Sequence, residues 1–156
     1  KISNSKKRTD IKVKPNTLDD FKFKCLKDYI KELHKCFKDY NDQWPLLKYY
    51  AKNLDIGSFN IGKYTPGGHF GKIHTERSSL QTLHRVFAWM TYLNDVEGGG
   101  ETSFSNYNIK IKPEIGKTLI WPAEWTHAHS GEIVNVGEKY IITGWMHYTE
   151  DHDQNK

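Results

Sequence analysis

The chain of 156 residues has little cysteine and no long apolar run. Its two cysteines, Cys25 and Cys36, fall in a helical pattern that would separate them by about 16 Å, which is too far for a disulfide. Free, half-buried thiols fit a reducing compartment. No apolar stretch approaches the roughly 18 residues needed to cross a bilayer, and the first ten residues are basic and polar, unlike a secretory signal. We therefore expect a cytoplasmic protein that does not associate with membranes.

Positive charge is concentrated in the first third of the chain. Residues 1–52 hold 14 Lys and Arg against 7 Asp and Glu, whereas residues 53–156 hold 9 against 12. A basic region can meet an anionic partner such as a nucleic acid. Here, however, the aromatic side chains of the basic helix lie on its apolar stripe, where they belong to a core and cannot stack on bases. A solvated lysine face is therefore favoured over nucleic-acid binding.

The first 54 residues are predicted to be a lead-in followed by helices. Residues 1–16 form the predicted lead-in, which is basic and flexible. From Thr17, which can cap a helix, apolar side chains recur every three or four residues as far as Tyr40, with lysines between them. This pattern predicts an amphipathic helix of about six turns. A second, short helix is predicted near Pro45, since proline suits a first helical turn. Residues 17–54 would thus be a helical support.

Beyond the helices, short β-type segments are separated by glycine and proline. They lie at residues 58–64, 85–93, 107–112, 117–121 and 139–148. Many short strands with closely spaced turns predict a sandwich or jelly roll, and the lack of long helices between them excludes a parallel α/β sheet. The predicted fold is therefore mainly β with flanking N-terminal helices, in a single domain over residues 17–156 whose β part spans residues 55–148.

Histidines lie close to a carboxylate in the predicted β part. His74 and Glu76 are separated by one residue, and alternate residues of a strand face the same side, so both can bind one metal ion. A histidine from a second strand would complete a set of two histidines and one carboxylate. Such a set leaves three adjacent coordination positions open, which suits non-haem Fe(II). His127 and His129 share strand parity, and both are candidates for the third ligand.

A lysine follows the two histidines and opens the next predicted strand. Lys139 lies ten residues after His129 and opens a strand on which Ile141, Thr143 and Trp145 share its face. A lysine that points into a barrel is costly unless an anion meets it. The anion expected here is a carboxylate of a co-substrate that also chelates the metal.

These motifs resemble those of the Fe(II)/2-oxoglutarate-dependent dioxygenases, in particular the prolyl 4-hydroxylase-like branch in its compact bacterial or viral form. The resemblance covers about residues 58–148 and implies a double-stranded β-helix, the jelly roll also found in cupins. The matching segments, in the family's order, are YTPG through HTE, the arginine before VFAWMT with the following YLNDVEGGGETSF, WPAEWTHAHSG and GEKYIITGW.

The resemblance also implies a role for individual side chains. The iron ligands would be His74, Glu76 and His129. The family carries a Lys or Arg ten residues after its distal histidine, and Lys139 stands at that distance from His129 and not from His127. The side chains that hold 2-oxoglutarate would be Lys139, Tyr64, Tyr92 and Thr143. The side chains that face the substrate would be Arg85, Trp145 and His147.

The implied reaction is hydroxylation by O₂, with 2-oxoglutarate converted to succinate and CO₂ and with ascorbate as a candidate reductant. A peptide or protein is the expected partner, and peptidyl proline the leading substrate, because an arginine can hold a backbone carbonyl and an indole packs against a pyrrolidine ring. Two positions depart from the family. Glu76 replaces the commoner aspartate, and Gly71 stands where peptide prolyl hydroxylases usually carry tyrosine. The glycine keeps another residue, or a free small molecule, open as substrate.

A cupin-like metal protein that is not an oxygenase is the alternative from another class. Cupins typically run H-x-H, then Glu, then His, whereas here H-x-E precedes H-x-H. Iron-dependent conversion of 2-oxoglutarate to succinate would separate the oxygenase from this alternative.

Overall fold

A computed structural model describes residues 5–51 and 54–148. Within these ranges, no helix combines the length and the apolar character needed to span a bilayer. The α-helices of this part are α1, Lys24–Gln43, and α2, Leu47–Tyr50. Its strands are β1 Thr9–Val13, β2 Leu54–Ile56, β3 Phe59–Tyr64, β4 Phe70–His74, β5 Arg85–Tyr92, β6 Gly98–Gly99, β7 Thr102–Phe104, β8 Ile109–Ile111, β9 Thr118–Pro122, β10 His129–Gly131, β11 Val134–Val136 and β12 Lys139–Tyr148.

Two sheets form the double-stranded β-helix, as the strand pattern and the resemblance predict. The larger sheet has the order β1-β3-β12-β5-β9, with β2 paired to the end of β12. The smaller has the order β4-β10-β7-β8, and β6 pairs with β11. All five predicted segments contain a strand. The strands β2, β4, β6, β7, β10 and β11 fall outside these segments. All of them except β4 have only two or three residues, too few to display a period of two.

The two faces of the larger sheet are covered differently. One face meets the smaller sheet, and Met90, Tyr92 and Ile141 lie in the core between them. The other face meets α1, where Trp89 and Phe87 pack against its apolar stripe. Strand β5 therefore has both faces buried and reads as a continuous apolar run, with alternate side chains committed to the two cores.

The prediction of a flexible lead-in over residues 1–16 is wrong for the strand within it. β1 runs antiparallel to β3 along its whole length, and Lys7 exchanges backbone hydrogen bonds with His69. Residues 1–4 lie outside the described ranges. Within β1 only Val13 is buried, so the strand is held mainly by its backbone and leaves little hydrophobic pattern in the sequence.

The long helix begins later than predicted. Turns of 3₁₀ helix at Pro15–Asp19 and Phe21–Phe23 precede α1, which starts at Lys24 and not near Thr17. Asp20 interrupts the helical path with an extended backbone, and its carboxylate accepts a hydrogen bond from the next turn's amide. An aspartate at such a position competes for backbone donors and starts a new turn.

The cysteines of α1 are free, and the expectation that they are half-buried is wrong. Both Cys25 and Cys36 are exposed. The buried stripe of the helix is narrower than the run of apolar residues, and its residues that pack on the sheet are Leu26, Tyr29, Ile30, Leu33, Phe37 and Tyr40. The second helix is one turn long and starts two residues after Pro45.

Candidate active site

Strand pairing brings the two candidate histidine ligands together. His74 ends β4 and His129 begins β10, and the two are directly opposed in the antiparallel pair. Glu76 lies two residues further on, in a bend and not in the strand that its spacing suggested. Its Oε1 lies 3.3 Å from His129 Nε2 and 3.5 Å from His74 Nε2. The three side chains therefore converge on one point.

The geometry of this cluster fits a divalent cation. The three ligand atoms lie within 4.8 Å of one another, and adjacent ligands with bonds of about 2.1 Å in octahedral geometry lie about 3.0 Å apart. Nδ1 of His74 lies 2.8 Å from the Lys72 carbonyl, and Nδ1 of His129 lies 2.9 Å from the His127 carbonyl. Because a carbonyl only accepts, each Nδ1 carries the hydrogen and each Nε2 is left to bind a metal.

Glu76 is held as an oriented anion. Burial alone would raise its pKa, but hydrogen bonding and charge interactions with His129 and His74 hold that pKa below its usual range. Trp145 Nε1 donates to Oε2 at 2.8 Å, and Arg85 donates to the backbone carbonyl of Glu76 at 3.0 Å. The indole thus engages one carboxylate oxygen and leaves the other for a metal.

His127 lies outside the cluster. It ends a 3₁₀ turn, Trp125–His127, and does not share a strand face with His129 as the alternation suggested. Its ring contacts Tyr107, with the centroids 5.0 Å apart. The side chain that reaches Glu76 is that of His129, and the contribution of His127 is the backbone carbonyl that orients its neighbour.

Aromatic rings enclose the two histidines. The ring of Phe70 stacks on His74 with centroids 4.0 Å apart. Trp121 and Phe104 contact His129 at 5.0 and 5.6 Å. These rings form apolar walls around the ligands, and Phe70 and Trp121 also line the cavity onto which the ligands open.

A cavity of about 280 Å³ extends from the ligands into the space between the sheets. Of the four residues predicted to hold 2-oxoglutarate, Lys139, Tyr64 and Thr143 line it, and Tyr92 does not. The Tyr92 hydroxyl is buried behind the wall and hydrogen-bonds to Thr102, which does line the cavity. The role of Tyr92 stays a prediction, and any action on a ligand would pass through Thr102.

Lys139 is buried without a salt bridge to any described residue, although the charge of Glu101 acts on it from a distance. Its side chain is 2% exposed, its Nζ donates to the Gly100 carbonyl at 2.8 Å, and no carboxylate of the described residues forms a salt bridge with it. Burial, together with the positive charge of Arg8, lowers the pKa of Lys139 to about 8. An anion in the cavity would relieve both effects.

Arg8 is a cavity residue that the sequence did not reveal. Its guanidinium Nη1 donates to the Tyr64 hydroxyl at 2.7 Å, and its side chain is 8% exposed. The pairing of β1 with β3 places it there. The sequence signal for this strand is weak: Ile11 and Val13 alternate in TDIKV, but only Val13 is buried.

Thr143 lines the cavity with its hydroxyl already engaged. The hydroxyl donates to the Trp89 carbonyl at 2.8 Å. A hydroxyl has one hydrogen, so Thr143 cannot donate to a ligand unless that bond breaks. Its predicted role towards the co-substrate stays a prediction.

The residues predicted to face the substrate occupy the mouth of the cavity and a groove that continues from it. Arg85 and Trp145 line the cavity, and the guanidinium lies 3.7 Å from the indole ring centre. His147 lies in the adjoining groove of about 330 Å³, which shares Asn60, Arg85 and Trp145 with the cavity. His147 contacts the ring of His84 at 5.2 Å. The groove therefore adjoins the cavity that contains the candidate metal centre.

Comparison with known proteins matches the chain to a family of iron-dependent oxygenases. The family model described as 2OG-Fe(II) oxygenase superfamily matches residues 59–147. The chain is 26% identical over 107 residues to prolyl 4-hydroxylase subunit alpha-1 of Gallus gallus, an alignment that covers 62% of this chain and 21% of the relative. The chain thus spans about a fifth of the length of the curated relatives it matches.

Two solved structures share the fold. The viral collagen prolyl hydroxylase of Paramecium Bursaria Chlorella virus-1, solved as a 2OG complex, has a TM-score of 0.71 at 20% identity, and the match covers 95% of this chain and 82% of that one. The prolyl hydroxylase of Trichoplax adhaerens, solved with a peptide fragment of the hypoxia inducible factor oxygen degradation domain, has a TM-score of 0.66 at 19% identity, with 94% and 66% covered.

Proposed function

The chain belongs to the 2OG-Fe(II) oxygenase superfamily, and from that membership we propose that it hydroxylates peptidyl proline. The reaction consumes O₂ and 2-oxoglutarate and releases succinate and CO₂. The observation that carries the proposal is the convergence of His74, Glu76 and His129 at one end of a cavity that has the buried Lys139 at the other.

The chain's own residues bind and orient the reactants. His74, Glu76 and His129 would hold Fe(II), which would supply the redox chemistry that activates O₂. Lys139 binds the carboxylate of 2-oxoglutarate that is remote from the metal, and its pKa rises when it does so, because an opposite charge favours the protonated amine. Trp145 keeps Glu76 turned towards the metal through its indole N–H.

The groove beside the cavity supports a peptide substrate. It is open, it joins the metal centre through Arg85 and Trp145, and it offers an arginine N–H for a backbone carbonyl and an indole face for a pyrrolidine ring. The curated relatives and solved structures that share the fold carry the name prolyl hydroxylase, and one of them was solved with a peptide fragment.

The test is to supply proline-rich peptides with Fe(II), 2-oxoglutarate and ascorbate, and to measure succinate together with the peptide mass. We expect succinate and a gain of about 16 Da on proline, the mass of one oxygen atom. Succinate without modified proline, across varied peptides, would leave the oxygenase in place and remove the prolyl substrate. No conversion of 2-oxoglutarate in the iron-loaded protein would remove the oxygenase itself.

A further inference from the structure

The N-terminal segment brings a second buried cation to the co-substrate cavity. Lys6 and Arg8 both line it, while Lys7 between them is exposed and pairs its backbone with His69. The alternation is that of an extended chain, in which every second side chain faces the same way. The described chain therefore directs Lys6 and Arg8, but not Lys7, to the cavity.

Arg8 lies along the path that joins the two ends of the cavity. At one end its guanidinium donates to the Tyr64 hydroxyl, and Lys139 Nζ lies 4.2 Å from the centre of the same ring. At the other end it lies 5.8 Å from the centre of the Phe70 ring, which stacks on the candidate ligand His74. A 2-oxo acid that reaches from the metal to Lys139 would pass beside Arg8.

The protein gives the guanidinium two partners, Tyr64 and Asp10. Arg8 Nε forms an ion pair with Asp10 Oδ1 at 2.7 Å without the alignment of a hydrogen bond. Burial alone would lower the pKa of Arg8, but its contacts with Tyr64 and Asp10 raise it. Asp10 also pairs with Lys6 at 2.6 Å, so one partly exposed carboxylate serves two cations. Arginine keeps its charge at any pH the fold survives and binds carboxylates through a fixed fork of donors.

We propose that Arg8 binds the distal carboxylate of 2-oxoglutarate together with Lys139, which makes the N-terminal segment part of the co-substrate site. This inference rests on the proposed function. It assigns to residues 5–13 a part in selecting a dicarboxylate over a 2-oxo acid that has no second carboxylate.

The experiment compares two ligands by calorimetry on the Mn(II)-loaded protein, which binds without turnover. One is 2-oxoglutarate, and the other is 2-oxopentanoate, which keeps the five-carbon chain and the 2-oxo acid but lacks the distal carboxylate. We expect Arg8→Gln to lower the affinity for 2-oxoglutarate by about 10- to 100-fold, the range of a lost charged hydrogen bond. The affinity for 2-oxopentanoate should stay unchanged. Arg8→Lys keeps the charge but loses the paired guanidinium donors, so its affinity for 2-oxoglutarate should lie between those of Arg8→Gln and wild type.

Lys7→Gln is the matched control, since it removes the same charge from the neighbouring position without reaching the cavity. It should bind both ligands as wild type does. Unchanged 2-oxoglutarate affinity in Arg8→Gln, or an equal loss for both ligands, would overturn the role of Arg8. Wild-type protein that binds neither 2-oxo acid would instead refute the proposed function, so the two failures are distinguishable.

If Arg8→Gln does not fold, hydrogen exchange on the wild-type protein carries the test. Binding of 2-oxoglutarate should slow amide exchange in residues 5–13, and 2-oxopentanoate should not. Equal protection by the two ligands, or none by either, would contradict the proposal.

Discussion

The two ends of the cavity are built on different electrostatic principles. At the metal end, each ligand has a partner that fixes its orientation, since carbonyls hold both Nδ1 atoms and Trp145 holds one oxygen of Glu76. At the other end, Lys139 donates to a neutral carbonyl, and Arg8 shares the partly exposed carboxylate of Asp10 with Lys6. The first end is organised by the protein alone, whereas the second contains positive charge that a ligand must compensate. Substitutions at the first should therefore disturb geometry, and substitutions at the second should disturb affinity for an anion.

Removal of a metal ligand should have the largest effect. Glu76→Ala strips one of three protein ligands, and we expect iron affinity to fall by more than about 100-fold, beyond the effect of losing an outer partner, with turnover lost. Iron titration monitored by calorimetry checks this. Glu132→Ala, which removes a surface carboxylate that pairs with Lys110, is the control. His129→Ala should behave like Glu76→Ala, and retained iron there with loss in His127→Ala would show that the wrong histidine was assigned.

Loss of the buried lysine should weaken the binding of 2-oxoglutarate without changing the affinity for iron. Lys139→Ala leaves a carboxylate unpaired in a low-dielectric cavity, and we expect 2-oxoglutarate binding to weaken by about 2–4 kcal/mol. Calorimetric titration with 2-oxoglutarate and, separately, with Fe(II) measures the two ends of the cavity independently. Lys110→Ala, at an exposed position, is the control. A drop in iron affinity as large as the drop in 2-oxoglutarate affinity would contradict the division between the ends.

Loss of the Trp145 N–H that holds Glu76 should lower the affinity for iron moderately and leave the affinity for 2-oxoglutarate unchanged. Trp145→Phe keeps an aromatic ring beside Arg85 and removes the N–H that reaches Oε2, and we expect iron affinity to fall by about 10-fold, in the range seen for outer partners of metal ligands. Trp125→Phe, at a residue that is 72% exposed, should bind iron as wild type does. Unchanged iron affinity in Trp145→Phe would show that Trp145 faces the substrate alone.

The smallest effect should come from pH. Below pH 8 Lys139 is protonated and attracts a carboxylate, and above its pKa of about 8 it is neutral, so affinity for 2-oxoglutarate should be level below that pH and fall above it. The groups that face the amine are Arg8, Tyr64 and Glu101. The fixed charge of Arg8 should keep the fall below about 10-fold between pH 8 and pH 9.5. Calorimetry across this range should give a flat profile for Lys139→Met, and a parallel fall in that variant would assign the titration to another group.

The difference between the two ends also explains what the sequence could and could not predict. His74 and Glu76 were predicted from their spacing of two residues, which suits ligands of one metal. The resemblance then distinguished His129 from His127 through the family's ten-residue interval to a lysine. Arg8 was missed because it depends on β1, a strand whose single buried side chain, Val13, leaves almost no hydrophobic period.

Partners of the ligands were harder to predict than the ligands. Trp145 was assigned to the substrate, and its hydrogen bond to Glu76 depends on how β12 faces the bend after β4, which no spacing encodes. Tyr92 lies on a predicted strand and faces the interior as expected, but whether it stops at Thr102 or reaches the cavity is decided by ångströms of packing. Sequence periodicity specifies which face a side chain takes and not how far it extends.

β1 is the terminal strand of its sheet, and this has a consequence for where the chain can be shortened. The family model begins at residue 59, so a protein cut to that boundary would keep the three metal ligands and Lys139 but would lose β1, Arg8 and the helix that covers the outer face of the sheet. An edge strand held by few buried contacts detaches more easily than the core, and a ligand that binds only the attached form shifts that equilibrium towards attachment. Binding of 2-oxoglutarate in the cavity and attachment of β1 to β3 would then be linked, so that each favours the other.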